Sequence, residues 1–218
     1  MEKLEDSYRA KGLRKQLVKE IMGKGISDPA VIHAIGKVPR HYFFDKIFME
    51  HAYEDKAFPI GEGQTISQPY TVAFQTELTE ASPGKKILEV GTGSGYQASI
   101  LMEMGADVFT IEYNDVLYRK TRMFLPKIGY APHFFKGDGS RGLPKHAPFD
   151  AILVTAGAPV VPTALVAQLV IGGHLVIPIG NMNRQKMVRI TRTEENKVVK
   201  KEFKYFSFVP LLGKEGWK

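Results

Sequence analysis

Cysteine is absent from this chain of 218 residues, which excludes disulfides, thiolate nucleophiles and Cys-ligated zinc together and fits a reducing compartment. Asp, Glu, Lys and Arg are all missing from residues 151–183, the one stretch that could be mistaken for a membrane span. Pro159, Pro162, Gly172, Gly173 and Pro178 break it before any run reaches the ~20 apolar residues a spanning helix requires, so it reads as buried core. The six histidines, at 33, 41, 51, 133, 146 and 174, form no H-x-x-x-H pair, and no metal site is expected. Neither a Walker loop nor a G-x-S-x-G elbow is present, which sets aside P-loop phosphoryl transfer and serine-hydrolase chemistry. No repeat, low-complexity tract or Ser/Gly linker divides the chain. The start, MEKLEDSYRAKGLRK, is charged throughout and lacks an apolar signal-peptide stretch, so a cytoplasmic location, with no membrane partner, is the expectation.

What is present belongs to a folded protein: 44% apolar and 24% charged residues supply a sizeable core. At roughly 100–200 residues per domain the length supports one domain over 1–218. The net charge of +7 is uneven, with +3 in residues 1–50, −2 in 51–180 and +6 in 181–218. Terminal charge of this kind can attract acidic partners, although such runs commonly serve only solubility; no nucleic acid partner is expected, and the chain is taken as a monomer.

Apolar residues Leu4, Tyr8, Leu13, Leu17, Val18, Ile21 and Met22 recur at helical spacing. Asp28 before Pro29 signals a second helix that Gly36 and Pro39 end. Residues 40–70 read as a long loop, after which Ser67 or Gln68 opens a helix through Val72, Ala73, Phe74 and Leu78. From residue 85 strands alternate with helices: KILEV (86–90), DVFTIE (107–112), HFF (133–135), DAILVT (150–155) and HLVIPI (174–179), with helical segments from Tyr96 to Met104, over 114–125 and near 162–170. Five strands so spaced predict an α/β fold with a doubly wound, mostly parallel sheet. KMVRITR and KVVKKEFKYFSFV, flanking TEEN, switch to a period of two and predict antiparallel C-terminal strands. A natural division is an N-terminal substrate-side region over 1–80, a cofactor-binding core over 81–180 and C-terminal strands over 181–218.

The chemistry gathers at the loops after the strands. Glu89-Val90-Gly91-Thr92-Gly93-Ser94-Gly95-Tyr96 crosses a strand-to-helix junction, where glycines admit a ligand to the backbone. The dinucleotide fingerprint requires glycine where Tyr96 stands, so the spacing argues against NAD and toward the G-x-G-x-G loop of S-adenosylmethionine-dependent methyltransferases. Glu112, followed by Tyr113, ends the next strand, where a carboxylate accepts the hydrogens of a ribose diol; by position alone it reads equally as a helix-start carboxylate. Asp138 between Gly137 and Gly139 suits the amine of adenine, and in isolation also suits an Asp-Gly turn. Together the three loops point to an adenosyl cofactor.

The chain then resembles the protein-L-isoaspartate O-methyltransferases. The resemblance rests on Val38-Pro39-Arg40 with His41 and Phe43, on Ala52-Tyr53-Glu54-Asp55, and above all on Pro59-Ile60-Gly61-Glu62-Gly63-Gln64-Thr65-Ile66-Ser67-Gln68-Pro69-Tyr70. It continues through LEVGTGSGYQA (88–98), GDGSRG (137–142), APFDAILVTAGAP (147–159), QLVIGGHLVIPIG (168–180) and FVPLLGKEGW (208–217). Phe58, where the family usually has leucine, and Phe135-Lys136 are small departures. The resemblance implies a Rossmann-like fold, S-adenosylmethionine as cofactor and methyl transfer to the α-carboxylate of L-isoaspartyl residues in proteins and peptides. It further implies Ser67 as the active-site serine, and Ile66 with the backbone of Val209-Pro210-Leu211 as the contacts to the peptide. By spacing alone, Ser67 reads equally as a helix cap. A methyltransferase acting on RNA or a small molecule, and a non-catalytic adenosyl-binding module, are the competing readings.

Overall fold

The computed structural model describes residues 5–195 and 197–217. Leu4, of the expected first helical face, and Asn196, of the expected TEEN turn, therefore lie outside the described residues. In chain order the elements are α1 (Tyr8–Gly23), α2 (Pro29–Lys37), β1 (Phe58–Gly61), β2 (Gln64–Ile66), α3 (Pro69–Thr79), β3 (Lys86–Val90), α4 (Tyr96–Glu103), β4 (Asp107–Glu112), α5 (Asp115–Phe124), β5 (His133–Lys136), β6 (Phe149–Val154), α6 (Thr163–Ala167), β7 (Leu169–Gly180), β8 (Gln185–Glu194) and β9 (Lys197–Phe206).

Strands β3 to β9 form one sheet in the order β5-β4-β3-β6-β7-β8-β9. The first five pair in parallel and β8 and β9 add antiparallel, as the alternation and the later period-two pattern predict. Side chains alternate between two apolar clusters on opposite faces. Ile87, Leu153 and Val176 join helices α1 to α5 on one face; Leu88, Val90, Ile152, Val154, Leu175 and Ile177 join α6 and the C-terminal segment on the other. Crossovers through α4 and α5 run outward from β3 in one direction and the crossover through α6 runs from β6 in the other. The order thus reverses between β3 and β6, and a crevice opens there at the carboxyl ends of the strands.

Several local expectations need correction. Residues 40–70 are not an open loop: they hold two short 3₁₀ turns, Arg40–Phe43 and Lys46–His51, and the antiparallel hairpin β1–β2. Its turn passes through Glu62 and Gly63, both with positive φ (54° and 67°), a signal that short strands with no alternating pattern do not advertise. In α1, Tyr8 (94% exposed), Leu13 and Met22 face solvent, while Ala10, Arg14, Leu17 and Ile21 are buried. Arg14 is drawn in because it is fully engaged, with Asp6 (2.8 Å), the Gly36 carbonyl (2.8 Å) and the Tyr53 hydroxyl (3.0 Å). Helix α6 spans five residues instead of the expected 162–170, because β7 begins at Leu169, paired with Phe149, and bulges through Gly172-Gly173 before resuming at His174.

Candidate active site

The crevice holds a cavity of about 380 Å³. Its floor is the loop between β3 and α4, whose shape only glycine permits. Gly91 has φ 100°, and a Cβ there would stand 2.4 Å from the Thr155 hydroxyl; Gly95 has φ 84°, and a Cβ would meet Thr121 and Leu125 at 2.8 Å. The Gly93 N–H donates to Glu112 Oε2 (2.8 Å) and its carbonyl accepts from Thr121 (2.6 Å). Among the described residues no side chain other than Ser94 (3.3 Å, to Tyr96 N–H) caps the start of α4, so the positive end of that helix is available to an anionic group of a ligand.

Glu89 is wholly buried beneath this floor. Its Oε2 lies 2.5 Å from Thr110 Oγ1, itself 2.6 Å from Thr92, whereas Oε1 has no hydrogen-bond partner among the described residues. Burial, reinforced by the neighbouring charge of Glu112, pushes the Glu89 carboxyl up to about 8 against the pull of the Thr110 hydroxyl. Glu112 is 6% exposed at the cavity wall, with Oε1 accepting from Asn114 N–H (2.8 Å). Asn114, not Glu112, caps α5, through Leu117 N–H (3.0 Å). The tip of the β1–β2 hairpin closes the cavity from above, where Asn114 Nδ2 donates to Glu62 (3.2 Å).

Four acidic side chains line the cavity, Glu62, Glu112 and Asp115 as carboxylates and Glu89 as a carboxyl that burial keeps protonated at neutral pH, and no lysine or arginine does. Asp115 is paired outward with Arg119 (2.8 Å) and Lys136 (2.9 Å), but the other three meet no cation among the described residues. Such a wall favours a ligand carrying positive charge. An unpartnered buried Glu89 oxygen, a floor bare of Cβ atoms at Gly91 and Gly93 and the open helix end together fit the ammonium, sulfonium and carboxylate of an adenosyl amino acid.

Ser67 stands where this cavity meets a second, outer groove of about 790 Å³; Thr65, Ser67, Thr155 and Val209 line both. The Ser67 hydroxyl has no hydrogen bond within the described residues, and its backbone is held from two sides. Arg40, fully buried, donates to the Ser67 carbonyl (2.8 Å) and the Ala52 carbonyl (3.0 Å), with its guanidinium 4.7 Å from the centroid of the Tyr96 ring. Burial lowers Arg40 to about 10, which leaves it charged at neutral pH. Asp55 accepts from Gln68 Nε2 (2.9 Å) and from Tyr70 N–H (2.7 Å), capping α3 across fifteen residues of sequence. The N-cap of α3 is Gln68, whose own side chain makes no capping bond, so Ser67 is not the helix cap its spacing allowed.

Of the residues marked in the sequence, the cavity brings together Ile66, Ser67, Glu89, Gly91, Thr92, Gly93, Ser94, Glu112, Tyr113, Gly139, Val209, Pro210 and Leu211. Gly95 and Asp138 do not reach its wall. Asp138 Oδ1 accepts from Ser140 N–H (3.0 Å) and Oγ (2.7 Å) and Oδ2 from Lys214 N–H (2.8 Å), so its carboxylate fastens the C-terminal segment. That segment presents less free edge than an added peptide strand would use. The Val209 carbonyl and Leu211 N–H both bond Gly157 (2.8 Å each), the Leu211 carbonyl accepts from Trp217 N–H (2.7 Å), and Pro210 has no N–H. Arg40, Asp55, Glu62 and Thr155 escaped sequence reasoning as site builders. Arg40 and Asp55 stood in motifs that carried the resemblance, but no pattern of spacing marks a buried arginine that holds a carbonyl.

The family profile described as Protein-L-isoaspartate(D-aspartate) O-methyltransferase (PCMT) matches residues 12–216. The chain belongs to this family. It is similar to the protein-L-isoaspartate O-methyltransferase of Cytophaga hutchinsonii, 58% identical over 214 residues that cover 98% of this chain and 97% of the relative. That of Christiangramia forsetii is 54% identical, with 96% of this chain and 98% of the relative covered. Among solved structures, a protein-L-isoaspartate O-methyltransferase superposes with a TM-score of 0.82 at 28% identity, covering 93% of this chain and 66% of that one. The S-adenosyl-L-homocysteine complex of a Plasmodium falciparum chain assigned to the same family superposes with a TM-score of 0.78 at 25% identity, covering 91% of this chain and 98% of that one. Among the described residues of this methyltransferase no helix is long and apolar enough to cross a membrane.

Proposed function

We propose that this chain transfers a methyl group from S-adenosylmethionine to the α-carboxylate of L-isoaspartyl residues in damaged proteins and peptides, the first step of their return to aspartyl linkage. The observation that carries the reading is the placing of Ser67: an unpartnered hydroxyl on the wall between a cavity rich in carboxylates and a groove open to a polypeptide. Bound S-adenosylmethionine supplies an electrophilic methyl carried on a sulfonium. The acceptor is anionic without help, since an α-carboxyl titrates at about 3.3–3.7, and no general base is required of the protein. The chain's task is therefore orientation and exclusion of water, and a correctly held pair of reactants can account for several kcal/mol of barrier. The Ser67 hydroxyl would donate to the carboxylate and fix its direction, with Arg40 and Asp55 holding the serine in turn. Cation and anion neutralise each other during transfer, so an environment of low dielectric, as around buried Glu89, favours the reaction.

For the cofactor we assign contacts to Glu89, Gly91, Thr92, Gly93, Ser94, Glu112, Tyr113 and Gly139, with Gly95 shaping the loop and Asp138 acting through the C-terminal segment. Ile66, Val209, Pro210 and Leu211 would bound the peptide, the Pro210 carbonyl being the acceptor left on that edge. The reading treats residues 1–218 as one domain, monomeric and cytoplasmic, acting on protein and not on nucleic acid. Sedimentation as a dimer would end the monomer reading. The deciding experiment offers the enzyme paired peptides that differ only in aspartyl or isoaspartyl linkage, with a structured RNA as a third substrate. Methyl transfer confined to the isoaspartyl peptide is expected; transfer to RNA alone, or cofactor binding without any turnover, would overturn the proposal.

A further inference from the structure

The outer groove differs from the cofactor cavity in a way that bears on which polypeptides enter. No aspartate or glutamate lines it, and its one charged lining residue is Arg184, on the turn between β7 and β8. The Arg184 guanidinium lies 4.0 Å from the centroid of the Tyr205 ring and has no carboxylate partner among the described residues. The rest of the C-terminal hairpin neutralises much of its own charge. Glu202 pairs with Lys186 and Lys200 (2.7 Å each), Glu194 with Lys197 (2.9 Å) and Glu80 with Arg189 (2.8 Å). A second cation left without a carboxylate, Lys204, donates to the Tyr70 hydroxyl (3.0 Å), and Tyr70 also lines the groove. Arg192, Lys201 and Lys214 of this region also lack a carboxylate partner among the described residues and lie off the groove, so Arg184 and Lys204 are the part of its +6 excess that is turned toward the groove adjoining Ser67.

The groove is also firmly built. Phe206 and Phe74 pack at 5.4 Å, Phe74 and Phe203 at 5.8 Å, and Tyr70 and Phe206 at 6.4 Å, fixing β9 to the start of α3. Gln185 accepts from Phe208 N–H (2.8 Å) and ties the groove to the segment that ends at Val209. Because Ser67 lines this groove, a polypeptide whose isoaspartyl residue reached Ser67 would meet it with one flank. Tyr205 holds the guanidinium from one side only, which leaves its N–H fork free to meet a planar anion.

We propose that the outer groove is a specificity site for an acidic side chain close in sequence to the isoaspartyl residue, with Arg184 as the cation that receives its carboxylate and Lys204 as a supporting charge. The inference rests on the isoaspartyl reading above. The test uses isoaspartyl peptides with a single Glu, or Gln in its place, stepped through the three positions on each side of the modified residue. On the unaltered enzyme, Glu at one or more positions on one side should lower KM about five- to tenfold relative to Gln, with kcat little changed, and 0.5 M salt should erase the difference. Arg184→Gln should bring the Glu-to-Gln ratio close to one, and Arg184→Lys should restore a good part of it; thermal unfolding of each variant checks that it is folded. Equal KM for Glu and Gln at every position on the unaltered enzyme overturns the proposal, as does a preference that survives Arg184→Gln. Failure to methylate any isoaspartyl peptide strikes the functional reading instead, so the two failures are distinguishable.

Discussion

The cavity under the glycine loop and the groove beyond Ser67 share a wall and carry opposite charge. The first is lined by Glu62, Glu89, Glu112 and Asp115 with no cation, the second by Arg184 with no carboxylate. Their common wall, Thr65, Ser67, Thr155 and Val209, is uncharged. A reaction that joins a sulfonium to a carboxylate needs a cation held on one side and an anion on the other, each screened from the wrong partner. The protein distributes acidic and basic side chains to different parts of the site and leaves only uncharged side chains at the junction, among them the unpartnered Ser67 hydroxyl, which in the proposed reading donates to the anion without competing for the methyl.

The comparison breaks most visibly at Glu112. Its two oxygens hold the Gly93 and Asn114 N–H groups at the cavity wall, so Glu112→Ala should remove both an anchor of the loop and the proposed ribose acceptor. Cofactor affinity should fall by about 1.5–3 kcal/mol, measured by calorimetry, while the Glu-to-Gln preference at the outer groove stays as it was. An unchanged dissociation constant would return Glu112 to a purely structural role.

At the shared wall, Ser67→Ala should lower single-turnover transfer to an isoaspartyl peptide by about ten- to a hundredfold, the value of one hydrogen bond to a charged group, with cofactor affinity intact. Thermal unfolding should barely move, because α3 takes no cap from Ser67. Normal turnover in this variant would remove Ser67 from the reaction.

The smallest effect sharpens the electrostatic side. With its carboxyl raised to about 8, Glu89 keeps its proton through neutral pH in the cofactor-free fold, whereas the unfolded chain releases it near the ordinary 4.3. The folded state binds the extra proton, so this residue's contribution to stability declines as pH rises from about 4.3 through 8. A cation arriving beside the unpartnered oxygen should draw that proton off. Cofactor binding at pH 7, followed in buffers of different protonation enthalpy, should then release a fraction of a proton, and Glu89→Gln should abolish the release. Identical heats in all buffers would show that Glu89 does not meet the cation.

Much of the architecture was readable because it depends on local pattern. A buried parallel strand must be a short apolar run, so KILEV and DVFTIE announced β3 and β4 to the residue; an exposed hairpin must alternate, so β8 and β9 announced themselves as well. The glycine loop was legible for the same reason, since only that residue type accepts the φ values found at Gly91 and Gly95. What the sequence could not decide depends on partners distant in the chain. Asp138 looked like a ligand acceptor by its place in Gly-Asp-Gly, yet Lys214, 76 residues on, supplies the N–H that occupies it. Ser67 looked like a cap until Asp55 took over the start of α3. Arg40 and Arg184 are alike as letters, but one is buried against the Ser67 carbonyl and the other stands in a groove without an anion. Hydrogen bonds and charge pairing are satisfied by whichever group arrives in space, so the periodicity of the chain determines its strands and glycine turns, and tertiary packing alone determines which polar side chains remain free for a substrate.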